Sequence, residues 1–151
     1  MELPDELSEH FTLAEMTQSS EAARLGIDNT PPESAIQNLI RVCATMEKVR
    51  ILLGRQPIFV HSGYRSPKVN ELVGGAETSE HLLGLAVDFV VSGWSNLGAA
   101  LKIRDSGIPF DQLILEYGWI HLGLAPEGKP LRQQCLTKRS ADSPYEAGLQ
   151  V

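Results

Sequence analysis

The stretch Ser79-Glu80-His81-Leu82-Leu83-Gly84-Leu85-Ala86-Val87-Asp88-Phe89-Val90-Val91 decides how the rest of the chain is read. Leu85 to Val91 is apolar except at Asp88, and its β-branched and aromatic content predicts a central strand. A carboxylate inside a run that asks for burial is costly unless it is paired or holds a metal. His81 precedes it by seven residues, and Gly84 permits a sharp bend between them, so both side chains can point at one spot. His121, alone among the apolar residues of Trp119-Ile120-His121-Leu122-Gly123-Leu124, is a second anomaly of the same kind. Two imidazoles and a carboxylate suffice for a catalytic zinc with its fourth position open. Taken singly, each residue also fits a plainer role: a strand histidine is often a hydrogen-bonded core residue, and a buried aspartate can satisfy backbone amides.

Outward from this stretch, the composition sets limits. The chain has 151 residues, 19 acidic and 13 basic side chains, and a formal charge of −6. That length suits one domain with a core of its own, and 42% hydrophobic with 21% charged residues excludes wholesale disorder. The charge is evenly spread, with ten acids and seven bases in residues 1–75 and nine and six in 76–151. No basic half marks a nucleic-acid surface, so no nucleic-acid partner is expected. No apolar run is long enough to span a bilayer, so no membrane insertion is expected either. The first residues carry acids where a signal peptide has bases, which predicts synthesis in the cytoplasm without a leader. Cys43 falls on a helical stripe and Cys135 in a polar stretch; a buried thiol and an incidental one are expected, with a single disulfide left open.

The remaining elements follow from periodicity and punctuation. Residues 1–32 read as turns and short helical pieces, one capped by Thr12 and another ending at Gly26. Ile36, Leu39, Ile40, Cys43, Met46, Val49 and Leu53 recur at three- and four-residue steps, the clearest helix in the chain, and Gly54 ends it. Pro57 to His61 reads as a strand, Ser62 to Pro67 as a turn, and Lys68 to Leu72 as one or two helical turns. Asn96 is the expected cap of a helix reaching about Asp105. Gln112–Glu116 and Trp119–Gly123 flank Tyr117-Gly118, a hairpin with a two-residue turn. Residues 125–151 read as a C-terminal tail, loop or partly disordered, after a domain over 1–124. The class expected is α+β, a small antiparallel sheet flanked by helices.

Ser79, His81, Gly84, Ala86 and Asp88 together form Ser-x-His-x-x-Gly-x-Ala-x-Asp, which resembles the zinc signature of the M15 peptidases, D-alanyl-D-alanine carboxypeptidases and related peptidoglycan peptidases that share the hedgehog fold. Ser62-Gly63-Tyr64-Arg65-Ser66 is similar to a turn of that family, and Trp119-Ile120-His121 to its Trp-[Val/Ile]-His. Phe110-Asp111-Gln112-Leu113-Ile114 resembles the phage and prophage branch, and the likeness runs over about residues 10–124. It implies Zn2+ held by His81, Asp88 and His121, and Arg65 receiving a carboxylate or carbonyl of the peptide, a role suited to a permanently charged guanidinium fork. Ser62 and Ser79 are expected to orient neighbours by hydrogen bonds beside the substrate. His10 and His61 match no ligand position.

Several M15 branches carry an acid three residues before the last zinc histidine, where this chain has Gly118, in a turn one residue shorter than in many phage relatives. Glu116 is the replacement expected from strand geometry. If Tyr117-Gly118 is the turn, Glu116 pairs with Trp119 and Ile114 with His121, so Gln112, Glu116, Trp119 and His121 share one face. Glu116 would then lie diagonal to His121, roughly 7–8 Å away along the backbone, as general base; a solvated hairpin carboxylate is the other reading. The function implied is a zinc-dependent peptidase acting on peptidoglycan stem peptides, monomeric and working at the cell wall after holin-type release. A non-catalytic zinc-containing wall- or peptide-binding module of the same fold is the alternative.

Overall fold

The computed structural model describes residues 3–150. Along the chain, strands β1 (Glu6–Ser8) and β2 (Phe11–Thr12) precede helices α1 (Leu13–Thr17), α2 (Ser20–Leu25) and α3 (Glu33–Leu52). Strand β3 (Ile58–Ser62) and helix α4 (Pro67–Leu72) then lead to a 3-10 turn at Glu80–Leu83. Next come β4 (Ala86–Val91), α5 (Asn96–Asp105), β5 (Gln112–Leu115), β6 (Ile120–Gly123), β7 (Gln134–Thr137) and β8 (Glu146–Ala147). The class is α+β, as expected.

Local sequence explains most boundaries. At the start of α1 the Thr12 hydroxyl accepts from the Glu15 amide while the Glu15 carboxylate accepts from the Thr12 amide, a reciprocal cap whose loss costs about 1 kcal/mol. Gly26 ends α2 in the left-handed region. α5 is capped by Ser95, whose hydroxyl accepts from Gly98, and not by the expected Asn96; of two adjacent capping residues, the one with extended backbone takes the position. β1 and β2 pair antiparallel where only turns and helical pieces were expected. Glu47 on α3 accepts from the Ser8 hydroxyl at 2.5 Å and from the His10 amide at 2.7 Å, tying this small ribbon down.

The main sheet has the order β3-β4-β6-β5-β7-β8. It departs from the expected antiparallel sheet in one place, the parallel pairing of β5 with β7. The stretch after Ala125, expected as loop or partly disordered, supplies β7 and β8. The short Gln-Cys-Leu-Thr sequence of β7 has no hydrophobic alternation to announce it. Its place is set by backbone bonds from Gln134 N to the Asp111 carbonyl at 2.9 Å and from Lys138 N to the Leu115 carbonyl at 2.9 Å.

One face of the sheet builds the core. Val60, Val87, Phe89, Leu113, Ile120 and Leu122 point from it toward the buried stripe of α3, with Ala99, Ala100 and Ile103 of α5 beside them. Each fully buried aliphatic or aromatic side chain there contributes about 1.5–3 kcal/mol. α3 is 20 residues long and spans about 30 Å. Ile36, Leu39, Cys43, Met46 and Val49 are buried on it, and Leu53 closes the stripe just beyond its end, where the Leu53 carbonyl accepts from the Trp94 indole. Cys43 is a free thiol that burial pushes up to about 12, and Cys135 is free as well.

Candidate metal centre

The opposite face of the sheet carries a row of aligned residues. Ser62 of β3 pairs with Asp88 of β4, Asp88 with His121 of β6, His121 with Ile114 of β5, and Ile114 with Leu136 of β7. Directly opposed residues on neighbouring strands share a face, so the carboxylate and the imidazole are neighbours by register alone. Ser62 reaches this row through a register shift between Val60 and Ser62 that redirects the end of β3.

His81 arrives from outside the sheet. The Ser79 hydroxyl accepts from the His81 amide and opens the 3-10 turn, and Gly84 closes it at φ +72 before the chain enters β4. A β-carbon at Gly84 would also collide with the Ala35 carbonyl of α3, so a single glycine delivers both the bend and the close approach. The His81 ring then donates from Nδ1 to the Gly63 carbonyl at 2.6 Å, which turns Nε2 toward Asp88 Oδ2 at 3.2 Å.

His81, Asp88 and His121 are all buried, and each offers a ligand atom within 4.8 Å of the others. His121 Nδ1 lies 2.9 Å from Asp88 Oδ1, and the two imidazole rings meet edge to face with centroids 5.1 Å apart. The chemistry of this set fits a divalent cation. Burial holds His81 neutral, below its ordinary range, and Gly63 takes its one N–H, so the Nε2 lone pair faces a carboxylate oxygen with no proton between them. A metal is the natural partner for two such acceptors, and tetrahedral zinc would place its ligand atoms about 3.3 Å apart. Against the opposing effect of burial, the hydrogen bond and charge of His121 hold Asp88 well below the usual carboxylate range. Burial works to lower His121, but the Asp88 and Glu80 carboxylates raise it to about 10.

Arg65 closes one side of the cluster. Its Nε donates to the Ser62 hydroxyl at 3.1 Å, Nη1 to Asn70 Oδ1 at 3.4 Å and Nη2 to Asp88 Oδ2 at 3.4 Å. Glu116 stands at the end of the hairpin, which has the expected register: Ile114 opposes His121, and the Glu116 amide bonds the Trp119 carbonyl at 3.0 Å. The Trp119 indole donates to Glu116 Oε2 at 2.9 Å. Burial first, and then the Asp88 charge, push the Glu116 carboxyl above its ordinary value.

A cavity of about 800 Å³ lies over the row, lined by His81, Asp88, His121, Arg65, Glu116 and Gln112 among others. A second, of about 730 Å³, meets it at Arg65, Val73, Asp88 and Trp119. All of the sequence-predicted site residues but Ser62 line the larger cavity, and Ser62 lines the second, with different immediate partners. Ser79 caps the turn that carries His81, Ser62 holds Arg65, and Gln112 donates to Gln134 Oε1 at 2.8 Å. His61 lines the second cavity beside Trp119, whereas His10 pairs with Glu47 far from the cluster.

Sequence reasoning missed several contributors. Asn70 braces Arg65, the Gly63 carbonyl fixes His81, and Leu136, Lys138 and Tyr145 supply a wall of the larger cavity from the C-terminal stretch. It also assigned nothing to Glu80, whose carboxyl lies against His121 Nε2 at 3.7 Å and is pushed up by burial. A charged residue between Ser79 and the buried His81 was the available signal for Glu80; no local signal marks the others. No helix of the described residues is long and apolar enough to cross a membrane.

A search of curated proteins gave no match. A family model described as Peptidase M15 matches residues 9–123, and the chain belongs to that family.

Proposed function

We propose that this M15 chain is a zinc-dependent peptidase that hydrolyses peptide bonds in peptidoglycan stem peptides, as a carboxypeptidase or endopeptidase. The observation that carries this reading is the buried His81–Asp88–His121 cluster, its ligand atoms within 4.8 Å of one another, in a cleft that also holds Arg65 and Glu116. Space on both sides of Arg65 and Trp119 supports a substrate with residues flanking the scissile bond on each side. Action at the cell wall, in the manner of a phage or prophage lysin, is the setting that suits such a substrate.

His81 Nε2, His121 Nδ1 and an Asp88 oxygen would hold the metal. Zinc supplies a Lewis acid that makes water more acidic and polarises a carbonyl oxygen. Arg65, held by Ser62 and Asn70, orients the substrate through its carbonyl or terminal carboxylate. Glu116 takes the proton of the attacking water and passes it to the leaving amine. The Trp119 indole occupies Glu116 Oε2 and leaves the other oxygen for the proton. A carboxyl raised by burial is better matched to that task near neutral pH than an ordinary glutamate.

Gly118, where an acid stands in several M15 branches, favours a second reading: a zinc-holding module that binds wall peptides without cleaving them. Mass spectrometry of purified peptidoglycan after incubation with the zinc-loaded protein, against a chelated control, separates the two. New chelator-sensitive peptide ends support the peptidase and identify the bond. Retained wall binding with intact peptides supports the module.

A further inference from the structure

Glu80 sits between the metal cluster and the C-terminal stretch. Its Oε1 is buried and lacks a hydrogen-bond partner among the described residues, although His121 Nε2 lies 3.7 Å away. The side chain is only 16% exposed. Gly123, two residues beyond His121 on β6, makes the room for it: a β-carbon there would collide with Glu80 Oε1. An orphaned carboxylate oxygen in a space that only glycine leaves open has a specific neighbour to serve.

On its other side Glu80 faces Asp111. Asp111 in turn accepts from Arg132 three times, from the backbone N at 3.0 Å, Nε at 3.0 Å and Nη2 at 2.7 Å. Arg132 lies beyond the segment that matches the family, so Asp111 is held by the stretch that also supplies β7 and β8.

We propose that Glu80 is a positioning residue that accepts the Nε2–H of His121, and so keeps the Nδ1 lone pair of that ring directed at the metal. The inference rests on the metal-binding reading of the cluster. Its physical basis is that a neutral imidazole carries one ring proton: committing it to Nε2 leaves Nδ1, which is 2.9 Å from Asp88 Oδ1, free as a ligand.

The test compares Glu80→Gln, which keeps a carbonyl acceptor, with Glu80→Met, which keeps volume but no acceptor, in the full chain. Zn2+ affinity is read by competition with a chromophoric chelator, and the visible absorption of the Co2+-loaded protein reports ligand geometry. Glu80→Met should weaken Zn2+ binding by about 10–100-fold and alter the Co2+ spectrum, while Glu80→Gln stays within a few fold of the parent with the parent's spectrum. Equal affinity in Glu80→Met and the parent, or equal losses in both variants, would overturn the proposal. A parent that binds no Zn2+ would overturn the metal reading and this inference with it. Should Glu80→Met not fold, Glu80→Ala removes the acceptor without adding volume; it should show the same loss, and parent-like affinity there would refute the role.

Discussion

Replacing Glu116 by glutamine removes a proton acceptor and leaves nearly everything else where it is. The amide oxygen of glutamine can still accept the Trp119 indole N–H that now reaches Glu116 Oε2 at 2.9 Å. Exchanging a charge-assisted bond for a neutral one costs about 1 kcal/mol, and the substitution also relieves the unfavourable proximity of the Asp88 charge. Fold and zinc content should therefore be close to those of the parent. Turnover should not be. A missing acid–base group lowers the rate by about 10²–10⁴-fold, and the lower limit corresponds to about 2.7 kcal/mol of barrier. The pH profile adds a signature. A base works deprotonated, and burial has raised this carboxyl above 4.5, so the parent's kcat/KM should fall with decreasing pH on a limb centred above that value. Glu116→Gln should flatten the limb. The assay is kcat/KM on isolated muropeptides from pH 4 to 9 with metal content measured in parallel. Near-normal turnover by a zinc-replete Glu116→Gln protein, or an unchanged acidic limb, would refute the assignment.

Chelation should abolish activity and lower the melting temperature, because a ligand at 1,000 times its Kd stabilises by about 4 kcal/mol, roughly 10 °C for a chain of this size. His81→Ala should show the same lowered melting temperature with no further response to chelator, as read by calorimetry. Gly84→Ala should destabilise by roughly 2–4 kcal/mol in denaturant unfolding, since it combines a left-handed φ of +72 with a collision against the Ala35 carbonyl. Arg132 holds Asp111 down at about 2 from 3.8. A depressed carboxyl stabilises the fold above its unfolded pKa and loses that contribution as pH falls from about 4 through 2. With Arg132 more than half exposed, solvent screening leaves about 1 kcal/mol. Arg132→Gln should therefore unfold at less acidic pH than the parent in an acid titration followed by circular dichroism.

Much of the site was legible because its residues violate their local context. Asp88 in an apolar strand and His121 in another are expensive to bury without purpose, and Gly84 announced the bend that brings His81 toward them. The hairpin register was legible too, since a two-residue turn leaves one pairing, and Ile114 does oppose His121. Less could be read where the cause is not local. Ser95 and Asn96 are equivalent caps by composition, and only backbone direction chose Ser95.

By itself the sequence determined the long helix, the apolar strand with its misplaced carboxylate, the tight hairpin and the set of groups able to bind a metal. These depend on periodicity, turn chemistry and the cost of burying charge, all properties of neighbours along the chain. Tertiary structure alone decided that β4 lies beside β6, which puts Asp88 opposite His121, and that β7 joins β5 in parallel after a polar connection. It also decided that Glu80 enters the space left by Gly123 while Arg132 grips Asp111. Pairings between residues distant in sequence depend on which surfaces the core brings together, and a short, half-exposed strand such as Gln134–Thr137 carries too little apolar pattern to specify its partner.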